Sequence, residues 1–319
     1  MSELRSENNL NPLVSIVVIT FNSSMYVLET LESAGCQTYK NLELIVSDDG
    51  STDDTVEKCN AWIEKKKDRF VRAKVLTADC NTGIPANCNR AIRECKGKWI
   101  KTIAGDDILL PECITINMEY IISSSEDISI LFSTVFSFSV KEGKYVIDEI
   151  NKNERLQHFS TLCAKQQFEV LLTSNIISAP SGFYTRELLL EYPYNELYRN
   201  MEDYPEWLKL TYHGVKLFFM DKPTVMYRCD NSSATRYAPH YYPLQMHETK
   251  VLFFWTEKIK YLGKEHKAIY NRERQELFLY DLVDLFLKNR KSRWHSFIYR
   301  MMKWMVFHFC FFNSNNLKR

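Results

Sequence analysis

The chain of 319 residues lacks most of the short signatures that mark the common enzyme classes. No GxGxxG follows its first apolar run and no GxxxxGK(S/T) occurs anywhere, which argues against a dinucleotide dehydrogenase and a P-loop NTPase. GxSxG is missing too, against a hydrolase built on a nucleophile elbow. The nine cysteines stand singly, none at CxxC spacing, so no zinc site or disulfide framework is expected. They read as reduced thiols of a cytoplasmic protein, several buried as small apolar groups. The opening Met-Ser-Glu-Leu-Arg-Ser-Glu has neither the basic start nor the apolar core of a signal peptide. Val14–Ile19 is too short to span a membrane and reads as a buried strand. A net charge of +1 supplies no global attraction to nucleic acid, and no nucleic-acid partner is expected.

Acidic residues are missing from one region only. From Leu285 onward there is no Asp or Glu, but there are Lys288, Arg290, Lys291, Arg293, Arg300, Lys303, Lys318 and Arg319, which leaves −7 on the first 284 residues. Such asymmetry predicts an anionic partner for the tail. Trp294–Phe312 is rich in aromatics but interrupted by Arg300 and Lys303, too short and too charged for a span. Residues 288–312 therefore suit a helix on an anionic membrane surface, the expected peripheral contact. The competing reading is a C-terminal helix packed on the preceding domain with its basic face in water.

The first hundred residues alternate strand and helix patterns. Strands are predicted at Val14–Ile19, Leu42–Ser47, Val71–Leu76 and Trp99–Ile103. Helices are predicted up to Cys36 and over Val56–Lys67 and Ile84–Lys96. This rhythm means βαβ units and a mostly parallel sheet flanked by helices. Beyond it, Ile128–Val140 and Tyr145–Ile150 flank a hairpin turn. A helix is predicted from Phe159 to Thr173, a short strand at Pro180–Tyr184, and helices at Arg186–Glu191 and Met201–His213. Short strands follow at Val215–Met220 and Thr224–Arg228. From about Tyr237 the pattern is helical.

In an open parallel sheet, ligands bind at the carboxyl ends of the strands. Three of those ends carry Thr20-Phe-Asn22, Asp48-Asp49 and Asp106-Asp107, and the fourth leads into Asp79-Cys-Asn-Thr-Gly83. Carboxylates gathered on one edge repel unless a cation or donors balance them, and Asp suits Mg²⁺ or Mn²⁺. Each piece has an ordinary reading as well: Ser51 or Asp53 as helix caps, Gly105-Asp-Asp107 as a loop before Pro111. The ordered set of four is what makes the functional reading the stronger.

Val14-Ser-Ile-Val-Val-Ile-Thr-Phe-Asn22, Val46-Ser-Asp-Asp-Gly-Ser-Thr-Asp53, Asn81-Thr-Gly83 with Asn87 and Asn89, and Ala104-Gly-Asp-Asp107 resemble the family 2 glycosyltransferases of GT-A fold. So do Ser181-Gly-Phe-Tyr-Thr-Arg186, Met201-Glu-Asp-Tyr-Pro-Glu-Trp-Leu208 and Tyr227-Arg-Cys-Asp-Asn-Ser232. The resemblance covers roughly residues 12 to 235. It implies a GT-A nucleotide-diphospho-sugar transferase domain over 12–235, with a nucleotide-binding half at 12–110 and an acceptor half at 111–235. A helical extension at 236–319 ends in the basic aromatic tail.

The resemblance also implies roles. Thr20, Phe21 and Asn22 line the nucleotide pocket, and Asp49, with Asp48 beside it, accepts from a uracil-type base edge. Asn81 and Asn87 belong to the donor site, and Asp106 and Asp107 hold Mn²⁺ or Mg²⁺, or the ribose. Where many relatives place a further acid, this chain has Ala104, so metal binding rests on Asp106, Asp107 and the diphosphate. Arg228 and Ser232 would close over the diphosphate or acceptor. Asp203 is the candidate general base, with Glu202 second; Asn200 and Asp203 also resemble a capping box, with Pro205 suited to a first turn. His213, His240 and His247 read as structural side chains.

The expected activity is inverting transfer from a UDP-sugar to a saccharide or lipid-linked saccharide, in surface polysaccharide synthesis such as O-antigen. It would take place in the cytoplasm or at the inner face of the cytoplasmic membrane. The rivals are a nucleotidyltransferase, which should carry a Gly-rich basic loop where Thr20–Met25 stands, and an inactive nucleotide-sugar-binding protein.

Overall fold

A computed structural model describes residues 11–147, 154–229, 244–290 and 292–308. The chain divides into two units, Met1–Asp230 and Asn231–Arg319.

The first unit begins with β1 (Val14–Thr20), buried on both faces. Next come α1 (Val27–Gly35) and β2 (Leu42–Asp48), every residue of which is buried. α2 (Thr55–Lys66), β3 (Arg72–Thr77), α3 (Ile84–Glu94) and β4 (Trp99–Ala104) follow. The four strands are parallel, in the order β3-β2-β1-β4. The unbroken apolar run of β1 is what a strand covered on both sides requires. The edge strand β3 stays partly exposed along its length.

β5 (Ile108–Leu109), α4 (Cys113–Ser123), β6 (Ile130–Lys141) and β7 (Lys144–Ile147) come next. They are followed by α5 (Glu154–Thr161), α6 (Ala164–Thr173), β8 (Phe183–Thr185), α7 (Arg186–Glu191), α8 (Asp203–Tyr212) and β9 (Phe218–Arg228). They extend the sheet as β4-β8-β6-β9-β5, with β7 paired to β6. Here β6 and β9 run parallel, while β8 is antiparallel to both β4 and β6. One hydrophobic core joins both halves, from Val14, Leu44 and Trp99 to Leu131, Phe183 and Val225.

Two charged residues inside the strands are structural. Buried Glu43 accepts from Ser15 Oγ at 2.5 Å and from the Gly97 N–H at 2.9 Å. Buried Lys101 donates to the carbonyls of Pro180 (2.5 Å) and Gly182 (3.1 Å), tying β4 to the turn before β8. Both satisfy the rule that a buried charge must be hydrogen-bonded.

The structure differs from the sequence pattern in three places. The two strands expected at Val215–Met220 and Thr224–Arg228 are one strand, β9. Its register against β6 slips around Thr134↔Pro223, because proline has no N–H for the ladder and a bulge absorbs it. The helix expected over Phe159–Thr173 is broken at Cys163, which takes an extended conformation and caps α6 with Gln166. β5, two residues long, is too short for any periodicity to reveal. The hairpin strand expected to reach Ile150 is described as far as Ile147.

The second unit is helical where described. α9 (Leu244–Phe253) continues through a π-turn at Phe254–Lys258 to Tyr261. α10 (Lys267–Leu287) and α11 (Arg293–His308) follow. Leu279, Val283 and Leu287 of α10 pack with Met302 and Val306 of α11.

Candidate active site

Register brings the strand ends together. Thr20 lies opposite Asp48 across β1 and β2, and Ile19 opposite Ala104 across β1 and β4. Thr20 Oγ1 donates to Asp48 Oδ2 at 2.8 Å, and Ser51 donates to the same carboxylate through its N–H (2.8 Å) and Oγ (2.5 Å). Asp48 thus braces its own turn. Asn22 has φ 49°, a left-handed backbone that Asn tolerates. Its N–H donates to Ser51 Oγ at 2.7 Å, and its Oδ1 accepts from the Thr52 N–H at 2.9 Å. Phe21, between these tethered neighbours, leaves its ring 45% exposed.

Asp49 is the hub of the next layer. Its Oδ1 accepts from Thr82 Oγ1 (2.5 Å) and Arg90 Nη2 (3.0 Å), and its Oδ2 accepts from the N–H groups of Thr82 (2.9 Å) and Gly83 (2.8 Å). These four donors fill the acceptor capacity of a carboxylate. Arg90 Nη1 also reaches Asn87 Oδ1 (2.9 Å), while Asn87 Nδ2 donates to the Thr20 carbonyl (3.3 Å). Asn81 accepts from Arg199 through both its carbonyl (2.8 Å) and its side-chain oxygen (3.2 Å). Three of the expected donor-binding residues, Asp49, Asn81 and Asn87, therefore serve in this structure to lock loops to one another.

The same locking delivers the second acidic pair. The segment from Tyr194 to Met201 is stitched onto α3. Asn89 exchanges hydrogen bonds with Tyr194, donating to its carbonyl (2.9 Å) and accepting from its N–H (3.0 Å), and the Ile84 N–H donates to the Arg199 carbonyl (2.8 Å). Gly83 makes the approach possible. With φ 101° and ψ 161° it occupies a region reserved for glycine, and a Cβ there would lie 2.8 Å from the Arg199 carbonyl oxygen. Beside this seam opens a cleft of about 470 Å³ lined by Thr82, Arg90, Arg93, Glu196 and Arg199.

α8 starts directly after the stitched segment, with Glu202 and Asp203 half-buried at its N-terminus. Desolvation pushes both carboxyls up, and the charge on Asp203 pushes Glu202 further. Asp203 is held back by the Tyr204 backbone N–H and by Asn175, whose Nδ2 donates to Asp203 Oδ2 at 2.7 Å. Of the two, Asp203 has hydrogen bonds that favour its charged form, while burial and the Asp203 charge push Glu202 up to about 8. Glu202 stands at the N-cap position and its side chain makes no cap hydrogen bond. One turn on, Glu206 is buried and paired with Lys209 at 2.6 Å, and burial raises it to about 7.

At the end of β4, Asp106 is half-buried and Asp107 only 1% exposed. Asp107 Oδ1 accepts from the Arg228 N–H at 2.9 Å, while its buried Oδ2 has no hydrogen-bond partner. Burial first, then the neighbouring Asp106 charge, push Asp107 up to about 8. An orphaned carboxylate oxygen beside a second carboxylate is a hard-oxygen donor set short of positive charge, and it fits a divalent cation. The pair is incomplete alone, since no group of three or more His, Cys, Asp or Glu among the described residues could hold a metal.

Arg228 is a fastening. It is 2% exposed, donates from Nε to the Asp106 carbonyl (2.7 Å), ion-pairs with Glu29, and lies against the rings of Tyr26 (4.3 Å) and Phe138 (4.6 Å). Ser232 and His240 lie outside the described residues. His247 belongs to the second unit, and His213 packs against the rings of Tyr192 and Tyr212.

The sequence reading missed Arg90, Asn175, Arg199 and Glu29. Arg90 had a legible signal, since it follows Asn87 by three residues on α3 and so shares its face. The others act across 28 or more residues of sequence, where no local pattern speaks.

Known proteins are similar throughout the first unit. The family model described as Glycosyl transferase family 2 matches residues 15–190. An uncharacterized glycosyltransferase from Methanocaldococcus jannaschii is 26% identical over 276 residues, covering 85% of this chain and 87% of that protein. Among solved structures, S. aureus TarS in complex with UDP-GlcNAc superposes with a TM-score of 0.56 at 20% identity, over 86% of this chain and 73% of that one. A Pyrobaculum calidifontis mannosyltransferase with GDP-Man and Mn²⁺ gives 0.51 at 13% identity, over 96% and 76%. At such identities the superpositions speak for the fold alone, a GT-A fold.

Proposed function

The chain belongs to glycosyl transferase family 2 and is a glycosyltransferase, and from that premise we propose that it inverts the anomeric centre in a single displacement, with Asp203 as general base. The observation that carries the reading is the pairing of Asp203 with Asn175 Nδ2, a donor that favours the charged form of one carboxylate in a recessed acidic pair. An acceptor hydroxyl attacking the anomeric carbon must lose its proton, and a partly desolvated carboxylate is basic enough to take it. Glu202, second candidate in the sequence, stands beside it with its carboxyl pushed up to about 8 by burial and by the Asp203 charge.

The donor is a UDP-sugar, a reading supported by the likeness to TarS, which was solved with UDP-GlcNAc. The exposed ring of Phe21 offers a face for the base, Thr20 and Asn22 hold the loop that carries it, and Asp48 braces the turn opposite. Asp49 reads the base edge only if Thr82 Oγ1, a rotatable hydroxyl, turns away from it. Asn81, Asn87 and Arg228 belong to the donor site as the fastenings of its walls.

Asp106 and Asp107 are the residues that would hold Mn²⁺ or Mg²⁺; the mannosyltransferase solved with Mn²⁺ supports the choice. When bound together with the donor's diphosphate, such an ion supplies Lewis-acid stabilisation of the charge left on the departing phosphate. The acceptor is a saccharide, free or lipid-linked, in surface polysaccharide synthesis, and the reaction runs in the cytoplasm.

The test is a screen of nucleotide sugars with Mn²⁺ and Mg²⁺, followed by Asp203→Asn. The variant should lose transfer by a factor of roughly 10² to 10⁴ while binding donor normally. Transfer at near wild-type rate would remove Asp203 from the role. A product with retained anomeric configuration by NMR would remove the single displacement.

A further inference from the structure

The tail helix α11 carries two apolar faces. One is spoken for: Met302 and Val306 are buried against Val283 and Leu287 of α10, with Ile298 and Tyr299 beside them. The other is open to solvent. Trp294 is 79% exposed, Phe297 59%, Met301 46%, Trp304 53% and Met305 39%. Spaced by three, four, three and one, these five side chains form a strip roughly 100° wide on a helix of 3.6 residues per turn. A water-facing helix has no use for such a strip.

The charges around it are of one sign. Arg300 is exposed on the arc beside the strip, Lys303 is exposed farther round the helix, and α11 has no acidic residue. Lys288 and Arg290, in the turn between α10 and α11, add to them, and that turn follows Leu285 (71% exposed) and Phe286 (66%). None of these four basic side chains pairs with a carboxylate among the described residues. A protein partner for a strip of this kind would meet uncompensated positive charge at its rim. A surface of lipid phosphates meets it with the opposite sign, and Trp rings are at home at the level of the headgroups. Crossing the bilayer is not available, since no helix among the described residues is long and apolar enough.

We propose that the outer face of α11 is a docking surface for an anionic lipid bilayer. The helix lies in the plane of the interface. Phe297, Met301 and Trp304 enter the acyl boundary, Trp294 sits at the entry, and Arg300 reaches the phosphates. The α10 face keeps the helix attached to its own unit at the same time. The docking is independent of which sugar the enzyme moves.

The experiment is co-sedimentation of the full chain with vesicles of phosphatidylcholine alone, or containing roughly a third phosphatidylglycerol. The wild type should bind the anionic vesicles about tenfold more strongly, and the preference should fall as salt is raised. Trp294→Ser with Phe297→Ser should weaken binding to both vesicles by tenfold or more while donor binding and Tm stay put. Arg290→Glu with Arg300→Glu should erase the preference for anionic lipid alone. Met302→Ser, on the face seated against α10, should instead lower Tm. Equal partitioning of the wild type and the double Ser variant overturns the proposal. So does light scattering that finds a dimer which the Ser variant dissolves, because the strip would then be a protein interface.

Discussion

Asn175 Nδ2 donates to Asp203 Oδ2 at 2.7 Å while its Oδ1 accepts from the Ile177 N–H at 3.1 Å. The second bond fixes which way the amide faces, so the donor end, and not the acceptor end, meets the carboxylate. A donor aimed at the charged form favours it. Asn175→Ala should therefore raise the Asp203 carboxyl still further and move the acidic limb of the pH–rate profile to higher pH. kcat should fall about tenfold at neutral pH with donor KM unchanged. An unmoved profile would make Asn175 a bystander.

Asp106 and Asp107 should separate by readout. Asp106→Asn is expected to lower Mn²⁺-dependent donor affinity by tenfold or more in calorimetry, and EDTA should abolish the difference between variant and wild type. A variant with unchanged metal dependence would shift the metal to other oxygens. Asp107→Asn keeps an acceptor for the Arg228 N–H, so its fold should persist.

Glu206 makes stability depend on pH. Burial raises it from 4.5 to about 7 in the folded chain. A raised folded pKa contributes stability that is fully present below the unfolded value and lost as pH rises through the folded one. Glu206→Gln should thus raise stability at pH 8 by an amount on the order of 1–3 kcal/mol, read as a higher Tm, and leave it nearly unchanged at pH 4. A lower Tm of the variant at pH 8 would mean that the Lys209 ion pair, not burial, dominates.

Gly83→Ala tests the seam between the two halves of the site. The backbone there is open only to glycine, and the added methyl meets the Arg199 carbonyl, so roughly 1–3 kcal/mol of stability should be lost. Donor affinity should fall with it, because Asp49 anchors on the Gly83 N–H. Gly143→Ala is the contrast: φ is 74° but nothing lies within 4 Å, so strain appears without any change in donor binding.

Much of the first hundred residues was legible because its signals are local. Val14–Thr20 and Leu42–Asp48 are strands buried on both faces, and short runs rich in apolar residues between turn signals read as such strands. Asp48, Asp49, Asp106 and Asp107 stand at strand ends, and strand ends face the ligand edge. β9 misled because Pro223 looks like a terminator, yet a bulge carries the strand through it.

By itself the sequence determined which residues are acidic, where the strands stop, and that the tail is basic and aromatic. These follow from periodicity and composition, which act over a few residues. Only the tertiary structure decided what each carboxylate does with its lone pairs. Asp49 is saturated by Thr82, Gly83 and Arg90, Asp107 keeps one oxygen orphaned, and Asp203 gains Asn175. Those partners lie 28 or more residues away, and a carboxylate's protonation is set by what surrounds it, not by what precedes it in the chain. The same holds for the tail: composition supplied its charge and its aromatics, and packing against α10 decided which face is left outward.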